Sequence, residues 1–188
     1  MPLTLAGRRQ ALTAAHFLRD SGTRHVFTSD LVRAVQTAEP IARLLGVGYQ
    51  PDQALREQAL GTLEGRLARE LTETAAPPGV AVTSVRWGGG ESITDVHSRA
   101  SGFLARTLAA YHSRDLVLVT HADLIRVAVA CLRGKGPHDI DWFDLPNGSV
   151  TTVIWADGQV RTVTTAAPDD VQAGSSDAPS VRMRRPDE

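Results

Sequence analysis

The sequence predicts an α/β fold, a three-layer sandwich in which helices cover a mostly parallel sheet that is followed by a C-terminal antiparallel hairpin. Short β-rich runs alternate with helical segments along the chain, which is the pattern of parallel sheets. The run DLVLVT (115–120) contains four consecutive aliphatic residues, as expected of a strand covered on both faces. SVTTVIW and QVRTVTT flank ADG, a turn signal that predicts the hairpin.

Three features predict the first helix: a capping residue, apolar residues at helical spacing and a glycine at its end. Thr4 can cap it, and Leu12, Ala15 and Leu18 follow at helical spacing. Gly22 stands where a C-terminal glycine stop is expected.

A strand and a second helix come next. HVFTSD (25–30) is β-rich, and 31–45 has helical periodicity and ends at Gly46. Pro40 lies inside that helix and predicts a kink or a local break. Beyond it, VGYQ is a candidate short strand, 51–64 is predicted to be irregular and 65–74 to be a short helix.

The second half contains the clearest helix. Apolar residues recur at helical spacing from Ile93 to Tyr111, and Ser92 precedes them as a cap. Another helix is predicted over 122–133. Residues 166–188 combine Pro, Gly, Ser and charges with few large apolar groups and are predicted to be a disordered tail. The expected organisation is one domain over 1–165, followed by that tail.

Composition restricts the partners that we expect. The net charge of -1 and the absence of a basic tract argue against nucleic acid, and no apolar run approaches a membrane span. Cys131 is the one cysteine and no Cys/His cluster has zinc spacing, so we expect no metal site. The single cysteine and the lack of a signal-peptide pattern predict a cytoplasmic protein that binds small molecules.

Two polar residues stand where strands meet helices. His121 ends the strand 115–120, and Arg33 lies one turn into the helix after VFTSD. In an open α/β sheet, ligands collect at the carboxyl ends of strands, where helix N-termini favour anions. If the two strands are neighbours, both side chains converge on one crevice suited to a phosphate dianion. The alternatives are a structural histidine and a solvated arginine.

Five segments in order resemble the histidine phosphatase superfamily, the phosphoglycerate mutase-like fold. They are LTLAGRRQA (3–11), VFTSDLVRAVQTAEPIA (26–42), LREQALGTLEG (55–65), GGGES (88–92) and VLVTHADLIRVAVA (117–130). The resemblance covers residues 3 to about 155. It implies phosphomonoester hydrolysis through a phosphohistidine, on a small phosphorylated metabolite, with neither a metal nor an organic cofactor.

The resemblance also implies roles for individual residues. Arg33 matches the arginine that holds the transferring phosphoryl group, and His121 matches the second catalytic histidine, which contacts the same oxygens. Ala122 completes the predicted phosphate-binding set. Glu57 matches the proton donor to the leaving oxygen and needs a raised pKa for that task. Glu64 is the competing carboxylate, with a surface or structural role as the alternative.

The GGGES segment and Asp123 lie next to the predicted site residues in the sequence. GGGES lacks the lysine and spacing of a P-loop and is interpreted as a turn into the Ser92 helix, with Glu91 as a charge beside the cap. Asp123 follows His121 where many members of the family have a small residue, so we expect it to affect the substrate pocket.

The family's nucleophile is a histidine in an Arg-His-Gly segment after an apolar strand, and the sequence contains no such segment. Three explanations stay open. The sequence is a truncated part of an ordinary phosphatase, or it is a pseudoenzyme that binds phosphorylated ligands or a protein partner. In the third, SVTTVIW shifts into the place of the missing strand, or a second chain donates a strand in a homodimer. Loss of a catalytic nucleophile costs on the order of 10⁶ in turnover, so we expect impaired hydrolysis by this chain alone. Phosphatase is preferred to mutase because the segment between Gly65 and Gly88 is short.

Overall fold

The computed structural model describes residues 1–66, 76–111, 114–156 and 158–168. The helices of these residues are α1 (Leu5–Leu18), α2 (Val32–Leu45), α3 (Ile93–Ala110) and α4 (Ala122–Leu132). The strands are β1 (His25–Thr28), β2 (Tyr49–Pro51), β3 (Leu116–Val119), β4 (Val150–Ala156) and β5 (Gln159–Ala166). Most of the helix expected over 65–74 and of the tail expected over 166–188 lies outside the described residues.

The strands form a parallel sheet and a separate antiparallel pair. The parallel sheet has the order β2-β1-β3, with Val26 opposite Tyr49 on one side and His25 opposite Leu116 on the other. β4 pairs only with β5 among the described strands, with a register shift between Ile154 and Trp155. The predicted α/β class, its parallel sheet and its hairpin are confirmed.

Alternate residues of β1 and β3 face two different helix layers. Val26 and Val119 pack with the buried alanines of α1 and α2, including Ala38. Phe27 packs on the opposite side, against α3 and α4, where Phe103 meets its ring edge-on with centroids 5.7 Å apart. Because side chains alternate along a strand, the four residues of β1 contribute to the hydrophobic cores on both sides of the sheet. The sheet with helices on each side forms the predicted three layers.

The first two helices begin and end close to where the sequence predicted. The hydroxyl of Thr4 caps α1 by accepting a hydrogen bond from the amide of Gly7 at 3.1 Å. Helix α1 ends at Leu18, a few residues before Gly22. Helix α2 ends at Gly46 in the left-handed conformation, as predicted, and it runs through Pro40 without a break. Of the two alternatives predicted at Pro40, the local break is excluded and the kink stays a prediction.

Helix α3 begins with a reciprocal cap. The hydroxyl of Ser92 accepts from the amide of Asp95 at 3.1 Å, while the Asp95 carboxylate accepts from the amide of Ser92 at 2.8 Å. The cap predicted at Ser92 is therefore confirmed. Within the described part of the chain, no helix has the length and apolar character needed to cross a membrane.

Candidate active site

The carboxyl ends of β1 and β3 meet at one corner of the sheet. The two strands are parallel neighbours, and the pairing continues past them because the amide of Ser29 donates to the carbonyl of Val119 at 2.9 Å. The adjacency on which the sequence prediction depended is thus confirmed. Arg33, in the first turn of α2, points its guanidinium at His121, the residue before α4, and Nε donates to Nδ1 at 3.3 Å.

His121 is held as a neutral imidazole. A guanidinium can only donate hydrogen bonds, so the Nδ1 that faces Arg33 must carry the lone pair. The ring proton then lies on Nε2, which is 2.9 Å from the hydroxyl oxygen of the fully buried Ser29. Burial lowers the pKa of His121 from 6.5 to about 4, and the nearby positive charge of Arg33 adds to this effect.

Two helices point N-termini without side-chain caps toward this corner. Neither Leu31, which precedes α2, nor His121, which precedes α4, forms a side-chain cap hydrogen bond. Helix N-termini expose backbone N–H groups and the positive end of the helix dipole, which together favour a bound anion. Ala122 is the first residue of α4, so the structure places all members of the predicted phosphate-binding set at this corner.

Glu57 lies beside the same corner, on the loop that follows the 3₁₀ turn Gln53–Leu55. Its carboxyl group accepts a hydrogen bond from the backbone of Asp123 in the first turn of α4. Burial raises the pKa of Glu57 from 4.5 to about 7, and the Asp123 carboxylate adds to the rise, while the charge of Arg33 opposes it. The group therefore keeps its proton close to neutral pH, as a proton donor requires.

Glu64, the competing carboxylate, is exposed to solvent. The structure thus brings Arg33, His121 and Glu57 together, whereas the Glu64 side chain is exposed at the end of the 3₁₀ turn Gly61–Leu63. This placement agrees with the choice of Glu57 over Glu64, and the catalytic roles themselves remain predictions.

Sequence reasoning missed the residues that hold the Glu57 loop in place. Arg99 of α3 donates to the carbonyl oxygens of Ala54 and Glu57 at 2.9 and 3.1 Å. It also forms a bidentate pair with Glu91, at 2.8 and 3.0 Å. Glu91 is thus a charge next to the cap residue Ser92, as interpreted from the sequence, and it also pairs with Arg99, whereas Asp95 forms the capping hydrogen bonds. No local pattern around Arg99 signals this function, because its partners are up to 45 residues away in sequence.

The glycines of GGGES make this packing feasible. A Cβ on Gly88 would collide with the carbonyl oxygen of Leu60, and one on Gly90 would collide with that of Ala59. Gly88 also has φ of 57°, in the left-handed region that favours glycine. Backbone thus packs directly on backbone next to the Glu57 loop, so this segment does more than turn the chain into α3.

Asp123 and its neighbours form one wall beside the corner. The Asp123 carboxylate is bonded to Arg126 at 2.9 Å, and Arg126 also donates to the carbonyl of Phe143 at 2.9 Å. The Arg126 guanidinium lies 5.7 Å from the centre of the Trp142 ring, which is largely exposed. These contacts join α4 to the chain that leads toward β4.

The corner combines groups that can stabilise the charge of a phosphoryl group with a carboxyl group that can donate a proton. One unshared guanidinium, a neutral imidazole and two helix N-termini can stabilise anionic oxygens, and a protonated carboxyl group beside them can supply a proton. Of the nearby arginines, Arg56, Arg99 and Arg126 are each bonded to a carboxylate of the protein. Arg33 instead contacts His121, so its charge is available to an anion.

Comparison with known proteins agrees with this geometry. The chain is 33% identical over 156 residues to the "Probable phosphoglycerate mutase GpmB" of Yersinia enterocolitica, covering 81% of this chain and 73% of that protein. It is 34% identical over 128 residues to the "Phosphoglycerate mutase-like protein 4" of Arabidopsis thaliana, covering 64% of this chain and 56% of that protein. The chain thus spans from about half to three quarters of the length of these two relatives.

Solved structures and a family model also show similarity to histidine phosphatases. A mycobacterial glucosyl-3-phosphoglycerate phosphatase superposes with a TM-score of 0.73 at 27% identity, covering 89% of this chain and 86% of that one. An alpha-ribazole phosphatase from Shigella flexneri shares the fold, with a TM-score of 0.73 at 23% identity, covering 85% and 81% of the two chains. The model of the histidine phosphatase superfamily (branch 1) matches residues 1–167. The chain therefore belongs to the histidine phosphatase superfamily.

Proposed function

We propose that this protein is a phosphomonoester hydrolase that acts on a small phosphorylated metabolite at the corner formed by Arg33, His121 and Glu57. The observation that carries the proposal is the convergence of Arg33 and a neutral His121 on two helix N-termini, with Glu57 beside them. Family membership, with phosphatases and mutases among the similar proteins, supports the same class of chemistry.

Each residue has a role in the proposed reaction. A nucleophilic histidine attacks phosphorus and displaces the alcohol oxygen, while Arg33 and His121 stabilise the charge on the phosphoryl oxygens. Glu57 donates its proton to the leaving oxygen as the bond to phosphorus breaks. Water then hydrolyses the phosphohistidine and Glu57 takes up a proton again, so that phosphate is released and the groups return to their starting state.

The nucleophilic histidine is expected from a strand and loop of the Arg-His-Gly type, which none of the segments described here supplies. β3 pairs with β1 along one edge, and no described strand pairs along its other edge. A further strand at that free edge would carry its own carboxyl end to the corner of His121. We propose that hydrolysis by this chain alone is impaired until such a segment is provided by the same protein or by a second chain in a homodimer.

Hydrolysis is preferred to the mutase reaction. The segment between Gly65 and Gly88 is short, which leaves little chain for a lid that would retain a phosphorylated intermediate and exclude water. The substrate class remains a small phosphomonoester. Composition further supports a cytoplasmic location without nucleic acid or membrane partners, since the chain has a single cysteine, a net charge of -1 and no basic tract.

The rival function is that of a pseudophosphatase, which binds phosphorylated ligands or a protein partner without turnover. The retained Arg33 and His121 favour this alternative if no nucleophile joins them. Both functions require anion binding at the corner, and they differ only in hydrolysis.

A chromogenic phosphate ester separates the two functions. The assay uses protein in which the Arg-His-Gly segment is present, and there we expect hydrolysis that falls at least about 10²-fold in His121→Ala, because an electrostatic contribution to the transition state is removed. His16→Ala is the matched control, since His16 is exposed on α1, and it should leave the rate unchanged. Saturable phosphate binding in calorimetry without turnover at high protein concentration would support the pseudophosphatase. An absence of both binding and turnover would reject the shared proposal.

A further inference from the structure

Arg99 connects α3 to the loop that carries Glu57. Its side chain is only 19% exposed, and its guanidinium donates to the carbonyl oxygens of Ala54 and Glu57 as well as to both carboxylate oxygens of Glu91. A bond to the backbone oxygen of Glu57 fixes the main chain from which the candidate proton donor extends.

Glu91 ties the far end of the same loop. One of its carboxylate oxygens accepts from the amide of Ala59 at 3.0 Å, and its own amide donates to the carbonyl of Ala59 at 2.7 Å. The side-chain amide of Gln58 adds a bond to the carbonyl of Glu91 at 2.7 Å. Residues on both sides of Glu57 are therefore bonded to one ion pair, in which Arg99 lies on α3 and Glu91 lies just before the cap residue Ser92.

We propose that Arg99 and Glu91 are positioning residues that hold the carboxyl group of Glu57 in its buried place beside the N-terminus of α4. The inference rests on the proposed role of Glu57 as proton donor. In the described part of the chain neither residue is hydrogen-bonded to Arg33 or His121, although the charge of Arg99 helps to lower the pKa of His121, so their effect on Glu57 is transmitted by the loop.

The geometry distinguishes this pair from an ordinary surface ion pair. Arg106, on the same helix, pairs with Asp52 at 2.7 Å, but its side chain is 54% exposed, and its guanidinium otherwise lies 5.0 Å from the centre of the Phe103 ring. Such exposed pairs contribute little. Arg99 uses its planar fork to bridge two backbone carbonyls and a carboxylate at once, an arrangement that a single ammonium group cannot reproduce.

Position matters because burial sets the protonation of Glu57. The carboxyl group keeps its proton near pH 7 while it is withdrawn from water and close to Asp123. A loop released from α3 would expose the carboxyl group to water, and its pKa would fall toward the ordinary value of 4.5. The donor would then be ionised at the pH where its proton is needed.

The test is an NMR titration of the Glu57 carboxyl carbon in ¹³C-glutamate-labelled protein, assigned with Glu57→Gln. The double variant Glu91→Gln with Arg99→Met removes one charge of each sign, so direct electrostatic effects largely cancel. We expect the pKa of Glu57 to fall by about one unit or more. Arg106→Gln is the matched control and should leave that pKa unchanged.

A milder variant keeps the test decisive if the double variant does not fold. Arg99→Lys retains the charge but loses the fork, and it should also lower the pKa of Glu57. An unchanged pKa in the folded double variant, or in Arg99→Lys where the double variant does not fold, overturns the inference. Phosphate calorimetry on the parent chain separates the two proposals, because absent binding rejects the proposed function while the pKa shift reports on positioning alone.

Discussion

At the scale of single residues, the site holds two ionisable groups in their neutral forms. Burial raises the pKa of Glu57 to about 7 and lowers that of His121 to about 4. Glu57 therefore keeps a transferable proton, while the imidazole of His121 keeps a lone pair on Nδ1 that accepts a hydrogen bond from Arg33. Both ring nitrogens of His121 are bonded to protein groups, so an anion that contacts this ring must replace one of those bonds.

We predict that phosphate binding raises the pKa of His121. The phosphate dianion favours the imidazolium form and draws the charge of Arg33 away from Nδ1, so both effects act in the same direction. The measurement is a ¹H–¹⁵N correlation spectrum of the imidazole groups, titrated with pH in the presence and absence of phosphate. His97, whose Nε2 lies 2.9 Å from the carbonyl of Lys135, serves as an internal control. A pKa of His121 that is the same in both series would contradict the assigned corner.

At the scale of elements, the sequence predicted the parts that local patterns encode. Ser92 and Thr4 were identified as caps because cap chemistry is confined to a few neighbouring residues, and Arg33 and His121 were identified because each follows a recognisable strand. The roles of Arg99 and Glu91 could not be predicted in this way. Their bonds join segments that lie more than 30 residues apart, and periodicity indicates which face of a helix is buried but not which loop lies on it.

The close approach of GGGES to the Glu57 loop gives an element-scale prediction. Gly90→Ala places a methyl group against the carbonyl oxygen of Ala59, and the clash can be relieved only if the backbone moves. We expect the free energy of unfolding to fall by about 2 kcal/mol or more, as measured by urea denaturation.

Gly102→Ala provides the matched control for Gly90→Ala. Gly102 lies inside α3 with nothing near the position of an added Cβ, and alanine is the better helix former. This variant should raise the free energy of unfolding by about 0.5 to 1 kcal/mol. Equal effects of the two substitutions would show that Gly90 does not sit in close backbone contact.

At the scale of the whole molecule, the two neutral groups give opposite pH dependences of stability. Glu57 binds its proton more tightly in the folded state, so its contribution is greatest below about pH 4.5 and is lost as pH rises through about 7. His121 binds its proton more weakly in the folded state, so its contribution is greatest above about pH 6.5 and is lost as pH falls toward about 4. Each shift amounts to roughly 3 kcal/mol at about 1.4 kcal/mol per pKa unit.

We therefore predict that, when one of the two groups is replaced, the free energy of unfolding shows the pH dependence that the other group alone produces. Between pH 7 and about pH 5, the free energy of unfolding of the parent chain should change little, because the two contributions offset each other. On lowering the pH over this range, Glu57→Gln should lose roughly 2 kcal/mol and His121→Gln should gain a similar amount. Parallel pH profiles of the two variants in urea denaturation would disprove the assigned protonation states.

The proposed function requires that the corner at the ends of β1 and β3 binds a phosphoryl group through Arg33 and His121. The most direct measurement is a calorimetric titration with orthovanadate, since analogues of a transition state bind far more tightly than substrates do. We predict saturable binding to the parent chain that weakens at least about 10-fold in Arg33→Gln. Arg43→Gln, at the far end of the same helix, should bind as the parent chain does. Equal affinity in the parent chain and Arg33→Gln, or no binding by the parent chain, would contradict the account.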